Sequence, residues 1–184
     1  MSDVRPEDAF GLLRSFLRHR AFVELALGRV ARALDERAIE HDLTKMLDDE
    51  FAGFSRINAA ARIQKFGSPE YAENMRRERG TIDLHFSRNA HHPERPGLLA
   101  QQTGGTALIA YDAGISEHEM TFLDVIEMVC DWWGASKGYD DPRAWQETAQ
   151  LNLEQKGKYL SPAQRWLVEQ VAAFLAPYVG EVST

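Results

Sequence analysis

The stretch "IEHDLTKM", residues 39–46, sets a histidine, an aspartate and, three residues after the aspartate, a lysine inside a region that otherwise reads as helix. It is either a polar turn between two helices or the centre of a metal site. His-Asp pairs are frequent by chance, so the decision rests on what surrounds it. Upstream, from Pro6 to Asp35, Leu12, Phe16, Val23, Leu27, Val30 and Leu34 keep three- and four-residue spacing, and Pro6 suits a helix start. A second helical stretch, Glu36 to Thr44, ends in the quoted run. Downstream, Asp48 is placed to cap a helix carrying Phe51, Phe54, Ile57 and Ala61 on one side.

Working outward, "FGSPEY" breaks the chain, and Ser68-Pro69-Glu70 opens a helix expected to run to Asn89 despite Gly80. Residues 93–114, with two prolines and four glycines, read as a long loop with an extended piece at 107–111. Ser116 and Glu119 form a capping-box pattern for a helix reaching Trp133, and two further helices span Pro142–Lys156 and Ser161–Tyr178, the last with Leu167, Val171 and Phe174 inward. The expected class is all-α: one bundle-like domain over residues 1–184 with six or seven helices, the histidine-bearing part at 12–134 and closing helices at 142–178.

Composition narrows the function. The 184 residues suffice for one domain with a full core, and a net charge of −7 argues against affinity for a nucleic-acid polymer. The single cysteine, Cys130, allows no internal disulfide. The amino terminus lacks a signal-peptide pattern, and no apolar run approaches the roughly 18 residues of a membrane span. A cytoplasmic protein is expected.

Several polar residues interrupt the apolar pattern. His19 lies on the inward stripe of the first helix, where a buried, hydrogen-bonded structural histidine is the plain explanation. Asp124, Glu127 and Asp131 recur at intervals of three and four, on one face of a helix whose apolar side is Phe122, Ile126, Val129 and Trp133. A solvated acidic face would suffice there, but Cys130, Trp132 and Trp133 bracket Asp131 with residue types that are usually buried. In "DLHFSRNAHHPE", residues 83–94, His85 and Asn89 are four apart, and His91 and His92 follow just before Pro93. Adjacent histidines can both ligate only where the backbone is irregular, which the proline permits. Of the six histidines all but His118 fall in these clusters, and imidazole with carboxylate suits Mn, Fe, Co, Ni or Zn. Tyr111, Trp132, Trp133 and Trp145 read as core rather than stacking platforms.

The order His19, His41-Asp42, His85, His91-His92, Asp131 resembles the HD-domain superfamily of metal-dependent phosphohydrolases, with its H…HD…D arrangement. "HDLTK" is similar to the HDxxK form of HD-GYP cyclic-dinucleotide phosphodiesterases, in which the lysine faces the substrate phosphate. "HHPE" resembles their HHE segment, although the GYP triplet is missing. More closely, "HDLTK…DDEF…NAHHPE…EMVCDW" is similar to an uncharacterised bacterial and phage family with HDxSK, EEF, NxHHxE and EMxxDW motifs, over most of residues 12–134.

This resemblance implies that His19, His41, Asp42 and Asp131 hold a first divalent ion. Asp42 would bridge to a second ion held by His85, His91 and His92, and Lys45 would contact phosphate. Ser15 stands where the HD-GYP branch has a glutamate, so a third ion is not implied, and Asp124 is an alternative to Asp131. The implied reaction is hydrolysis of a small phosphorylated compound such as a nucleotide. Asp42 would orient water, Arg18, Arg88 or Arg95 would add a fork for phosphate, and Glu127 would orient a ligand or act as acid/base. Glu50 could do the same, although an ordinary helix-start glutamate explains it more simply. Residues 93–114 would serve as lid. The alternatives are an HD-type di-iron oxygenase, which would consume oxygen rather than release phosphate, and a non-catalytic nucleotide-binding module. No membrane partner is expected, and helical faces left over could pair in a homodimer.

Overall fold

The computed structural model describes residues 5–64, 68–95, 120–138 and 143–177. The expected 107–111 extended piece, the 93–114 lid beyond Arg95, and Ser116 with Glu119 lie outside the described residues. The all-α expectation holds: among the described residues there are seven α-helices, two short 3-10 turns and no strand. None of these helices is long and apolar enough to cross a membrane. The chain divides into two compact units, residues 1–41 and 42–184.

The first unit is one helix, α1 (Pro6–Glu40). Pro6 occupies its first turn with Glu7 and Asp8, Arg37 its last, and Arg20 pairs with Glu24 at 2.8 Å one turn on. The expected break at Asp35 does not occur. "ARALDERAIE", residues 31–40, contains neither glycine nor proline, so helix propensity carries α1 to His41, whose ψ of 123° ends it. The stripe Leu12, Phe16, Val23, Leu27 and Val30 is exposed, and α1 buries no residue. His19 on that stripe is exposed as well, contrary to the inward position expected of it.

The second unit opens with a 3-10 turn (Leu43–Met46) and continues as α2 (Asp48–Ala61), α3 (Pro69–Arg77) and α4 (Arg79–Arg88). After these come α5 (Phe122–Gly138), α6 (Trp145–Lys156), a 3-10 turn (Gly157–Tyr159) and α7 (Pro162–Leu175). Its apolar core lies among α5, α6 and α7. Val125, Met128, Val129 and Trp132 of α5 meet Trp145 and Ala149 of α6, Leu160, and Val168 of α7. Trp145 donates its indole N–H to the carbonyl of Ala172 at 2.8 Å, so its polar edge is satisfied inside the core. Ser161 and Gln164 close a capping box at the start of α7, and Gln164 also reaches the carbonyl of Met120 at 2.9 Å.

The α5 face is rotated from the expected one. Phe122 is exposed, Ile126 and Trp133 are half-buried, and Cys130 is exposed rather than buried. Two helices pack on α5, and together they draw positions 125, 128, 129 and 132 inward. Its start is set by Thr121 and Asp124: the Thr121 amide donates to the Asp124 carboxylate at 2.6 Å, and the Asp124 amide returns to the Thr121 hydroxyl at 3.3 Å.

A second packing centre joins α2 to α3, α4 and the first 3-10 turn. Leu47, not Asp48, occupies the cap position of α2, and Asp48, Asp49 and Glu50 fill its first turn. Its inward side is Glu50 and Gly53 with Phe54 and Ile57 half-buried, whereas Phe51 points outward. Gly53 is required by proximity: a Cβ there would run into the Thr81 side chain of α4. Ser68 caps α3 as expected, accepting from the Tyr71 amide at 3.2 Å. The single helix expected from Ser68 to Asn89 is broken at Glu78 (φ −93°, ψ 14°). Gly80 weakens the helix there, and the nearly buried Glu78 carboxylate is held by the Arg56 fork of α2 at 2.6 and 2.8 Å.

Two outcomes test this packing. Gly53→Ala should destabilise the protein by about 1–3 kcal/mol instead of stabilising a helix interior. Adding Thr81→Ala should recover part of the loss in urea unfolding; a Gly53→Ala protein more stable than wild type would contradict the close approach. The Arg56 hydrogen bond holds the Glu78 carboxyl below its ordinary value of 4.5. The stability it contributes is therefore present above about pH 4.5 and is lost as the pH falls further. Glu78→Gln should lower stability at pH 7 and flatten the decline measured between pH 5 and pH 3.

Candidate metal centre

The site is assembled from the first 3-10 turn, α2, α4, the turn after α4 and α5, all within the second unit. Asp42 enters it with left-handed backbone (φ 58°, ψ 12°), the one non-glycine residue with positive φ among those described. Aspartate tolerates this region better than most residues, at a cost of roughly 1 kcal/mol. Asp42 starts the 3-10 turn, which the Lys45 amide closes on the Asp42 carbonyl at 2.9 Å.

His85, on α4, is 1% exposed, and each of its ring nitrogens faces a carboxylate. Nδ1 lies 2.8 Å from Oε2 of Glu50, which has no exposed surface, and Nε2 lies 3.0 Å from Oδ1 of Asp42. The Thr44 hydroxyl donates to the same Glu50 oxygen at 3.0 Å. Asn89, the C-cap of α4, donates to the Thr44 hydroxyl at 2.9 Å and to the His85 carbonyl at 2.8 Å. This network assigns the imidazole proton to Nδ1, directed at Glu50, and leaves the Nε2 lone pair facing a carboxylate oxygen.

His91 repeats the arrangement. Its Nδ1 lies 3.1 Å from Glu127 of α5, and its Nε2 lies 3.6 Å from Oδ1 of Asp42. His92 follows in the same turn, its ring 4.9 Å from that of His85 and 4.2 Å from that of His91. The irregular backbone expected of a ligating histidine pair is present. Burial, then the neighbouring His91 and His85, pushes the His92 pKa down to about 2, so its imidazole is neutral.

Ligand atoms of Asp42, His85, His91 and His92 lie within 4.8 Å of one another, and a ligand atom of Asp131 lies within the same distance of one of His91. Two atoms bound to one ion at about 2.1 Å stand roughly 3.0 to 3.4 Å apart. The Asp42 to His85 separation falls in that range and the Asp42 to His91 separation lies just outside it. The Nε2 atoms of His85 and His92 are buried and make no hydrogen bond among the described residues. Acceptors facing each other in a dry site call for a cation, so this donor set fits a divalent ion.

The remaining sequence candidates separate. Asp124 is engaged in the α5 cap, which leaves Asp131 better placed as the late carboxylate. Lys45 pairs with Oδ2 of Asp42 and lies 4.9 Å from the Phe54 ring. Arg88 is exposed and engaged by carboxylates: its fork spans Asp49 at 2.9 and 2.5 Å and touches Glu50 at 3.0 Å, hydrogen bonds that raise its pKa further. Arg95 donates to the Ser87 carbonyl at 3.1 Å and so ties down the histidine turn. Arg18, His19 and His41 belong to the first unit. Arg18 is exposed over the Phe22 ring, and His41 ends α1, bonded directly to Asp42. Sequence reasoning undervalued Glu50 and missed Thr44; the signal that could have found Glu50 is its place four residues before Phe54 and seven before Ile57, on the side of α2 that carries Gly53.

A model of the family described as "Family of unknown function (DUF5662)" matches residues 9–174. Comparison with curated proteins and with solved structures gives no match.

Outer carboxylates that fix ligand imidazoles typically contribute 10- to 100-fold to metal affinity. Glu127→Gln and Glu50→Gln should each weaken divalent-ion binding by about that factor in competition with a chromogenic chelator. Undiminished affinity in both variants would show that the carboxylates do not orient the rings.

Proposed function

As the chain belongs to this family of unknown function, we propose from the site itself that it is a metal-dependent phosphohydrolase acting on a small phosphorylated compound, with nucleotides as the first class to test. One observation carries the proposal: three imidazoles and the Asp42 carboxylate converge in a largely buried cluster while Glu50 and Glu127 hold the outer nitrogens of His85 and His91. Asp42, His85, His91 and His92 would hold one ion of the Mn, Fe, Co, Ni or Zn group. The H…HD…D resemblance adds Asp131 as a further ligand, for one or two ions in all. Such an ion supplies Lewis acidity toward a phosphoryl oxygen and makes water more acidic.

The protein's own groups have separable roles. Asp42 accepts a hydrogen bond from the attacking water and sets its direction. Lys45, within reach of the same carboxylate, offsets phosphate charge as a point donor. Glu127 keeps His91 in one tautomer and can hold a proton beside the site. Glu50, tied to Arg88, fixes His85 and takes no part in proton transfer. The cytoplasm is the setting proposed, with no membrane or nucleic-acid partner; a homodimer is compatible with this mechanism and is not required by it.

Protein purified without a metal-affinity tag should contain about one or two equivalents of divalent transition metal by plasma mass spectrometry and release phosphate from one or more phosphorylated metabolites. Asp42→Ala should lose the metal, retain its helical circular dichroism and reduce hydrolysis by about a hundredfold or more. Two equivalents of iron with oxygen consumption and no phosphate release would replace this function by the di-iron oxygenase. Full metal occupancy in Asp42→Ala would remove the site.

A further inference from the structure

Lys156 lies in the last turn of α6, far in sequence from the histidines, and its ammonium makes an ion pair with Glu94, two residues after His92. The side chains are 26% and 13% exposed, so the pair is largely removed from water. The same ammonium lies 5.4 Å from the centre of the Phe86 ring, and that ring stacks on His92 with centroids 4.2 Å apart and planes tilted by 33°. Lys156 therefore reaches His92 by two routes. One runs through the ion pair to Glu94 and then along the backbone past the buried Pro93; the other is through the Phe86 ring.

His92 needs such support. His85 is fixed by Glu50 and His91 by Glu127, but among the described residues no ion pair of that kind is seen at His92. Its ring is set by packing against Phe86, His85 and His91. We infer that Lys156 is a positioning residue for the metal centre: through Glu94 and Phe86 it holds the His91-His92 turn and orients the His92 imidazole toward the ion. This rests on the metal-site reading above and extends it to α6, part of the closing helices. A semi-buried ion pair with a cation over a ring face has directional strength that a solvated pair lacks.

The test uses Co(II) as probe, on the full chain. Wild type should bind Co(II) with d–d absorption characteristic of nitrogen and oxygen ligands. Lys156→Met should bind it about tenfold more weakly and with an altered d–d spectrum, while metal-free thermal unfolding stays within a few degrees of wild type. Lys156→Arg should restore both the affinity and the spectrum. The charge reversal Lys156→Glu with Glu94→Lys guards against a simple folding defect: it should recover affinity relative to Lys156→Glu alone. Wild-type Co(II) binding with an unchanged constant and spectrum in Lys156→Met would overturn the positioning role and leave the metal site standing. Absence of Co(II) binding in wild type would overturn both.

Discussion

The buried contact between Glu50 and His85 is the constraint on which the second unit's polar half depends. A carboxylate with no exposed surface is tolerable only if its charge is compensated, and here Arg88, the Thr44 hydroxyl and the His85 Nδ1 proton converge on it. Those partners come from α4 and from the turn after Asp42. Satisfying one charge therefore joins three segments that apolar packing alone would not bring into register. The Gly53 to Thr81 approach and the Arg56 to Glu78 pair extend the same α2 contact along α3 and α4. An apolar core occupies the other end of the unit, among α5, α6 and α7. The histidine turn lies between the two centres, held from α5 through Glu127 and from α6 through Lys156.

Helix content was legible because it follows from local pattern. Pro6, Ser68-Pro69 and Ser161-Pro162 announce starts through their own backbone preferences, and the structure begins helices at each. Boundaries set by tertiary contacts were not legible. The break at Glu78 needs Arg56 from another helix, and the continuation of α1 past Asp35 reflects the absence of any breaker, not a signal of its own. The α5 face was misread by a fraction of a turn. Periodicity fixes which residues share a face but not which helices will cover it, and Phe122 and Cys130 are exposed as a result.

At the site, residue types at unusual places were readable: Asp42 beside a histidine, paired histidines before a proline, and carboxylates recurring on α5. The structure brings Asp42, His85, His91, His92, Glu127 and Asp131 together in one unit. Of the groups that hold the ligands, Glu127 was read from the sequence, whereas Glu50 was given a simpler explanation and Thr44 was missed. Glu50 sits among three consecutive acids at a helix start, where the macrodipole already explains it. Arg88 looks identical in sequence whether it forks a phosphate or a neighbouring aspartate. Such partners become visible only when distant segments meet, because a hydrogen bond across 35 or more residues leaves no periodic trace.

The charge balance of the cluster connects this geometry to the proposed chemistry. Burial, with repulsion from His91 and His85, drives the His92 pKa far below its ordinary value. Asp42 is the carboxylate at the centre of the cluster, and Lys45 sits on its second oxygen. A divalent ion among Asp42 and the Nε2 atoms would reduce the carboxylate's hold on that ammonium. Lys45 would then be released toward whatever anion approaches. Under the proposed function, a phosphate dianion would be drawn by the ion and by the ammonium together, so that ion and substrate would each favour the other's binding.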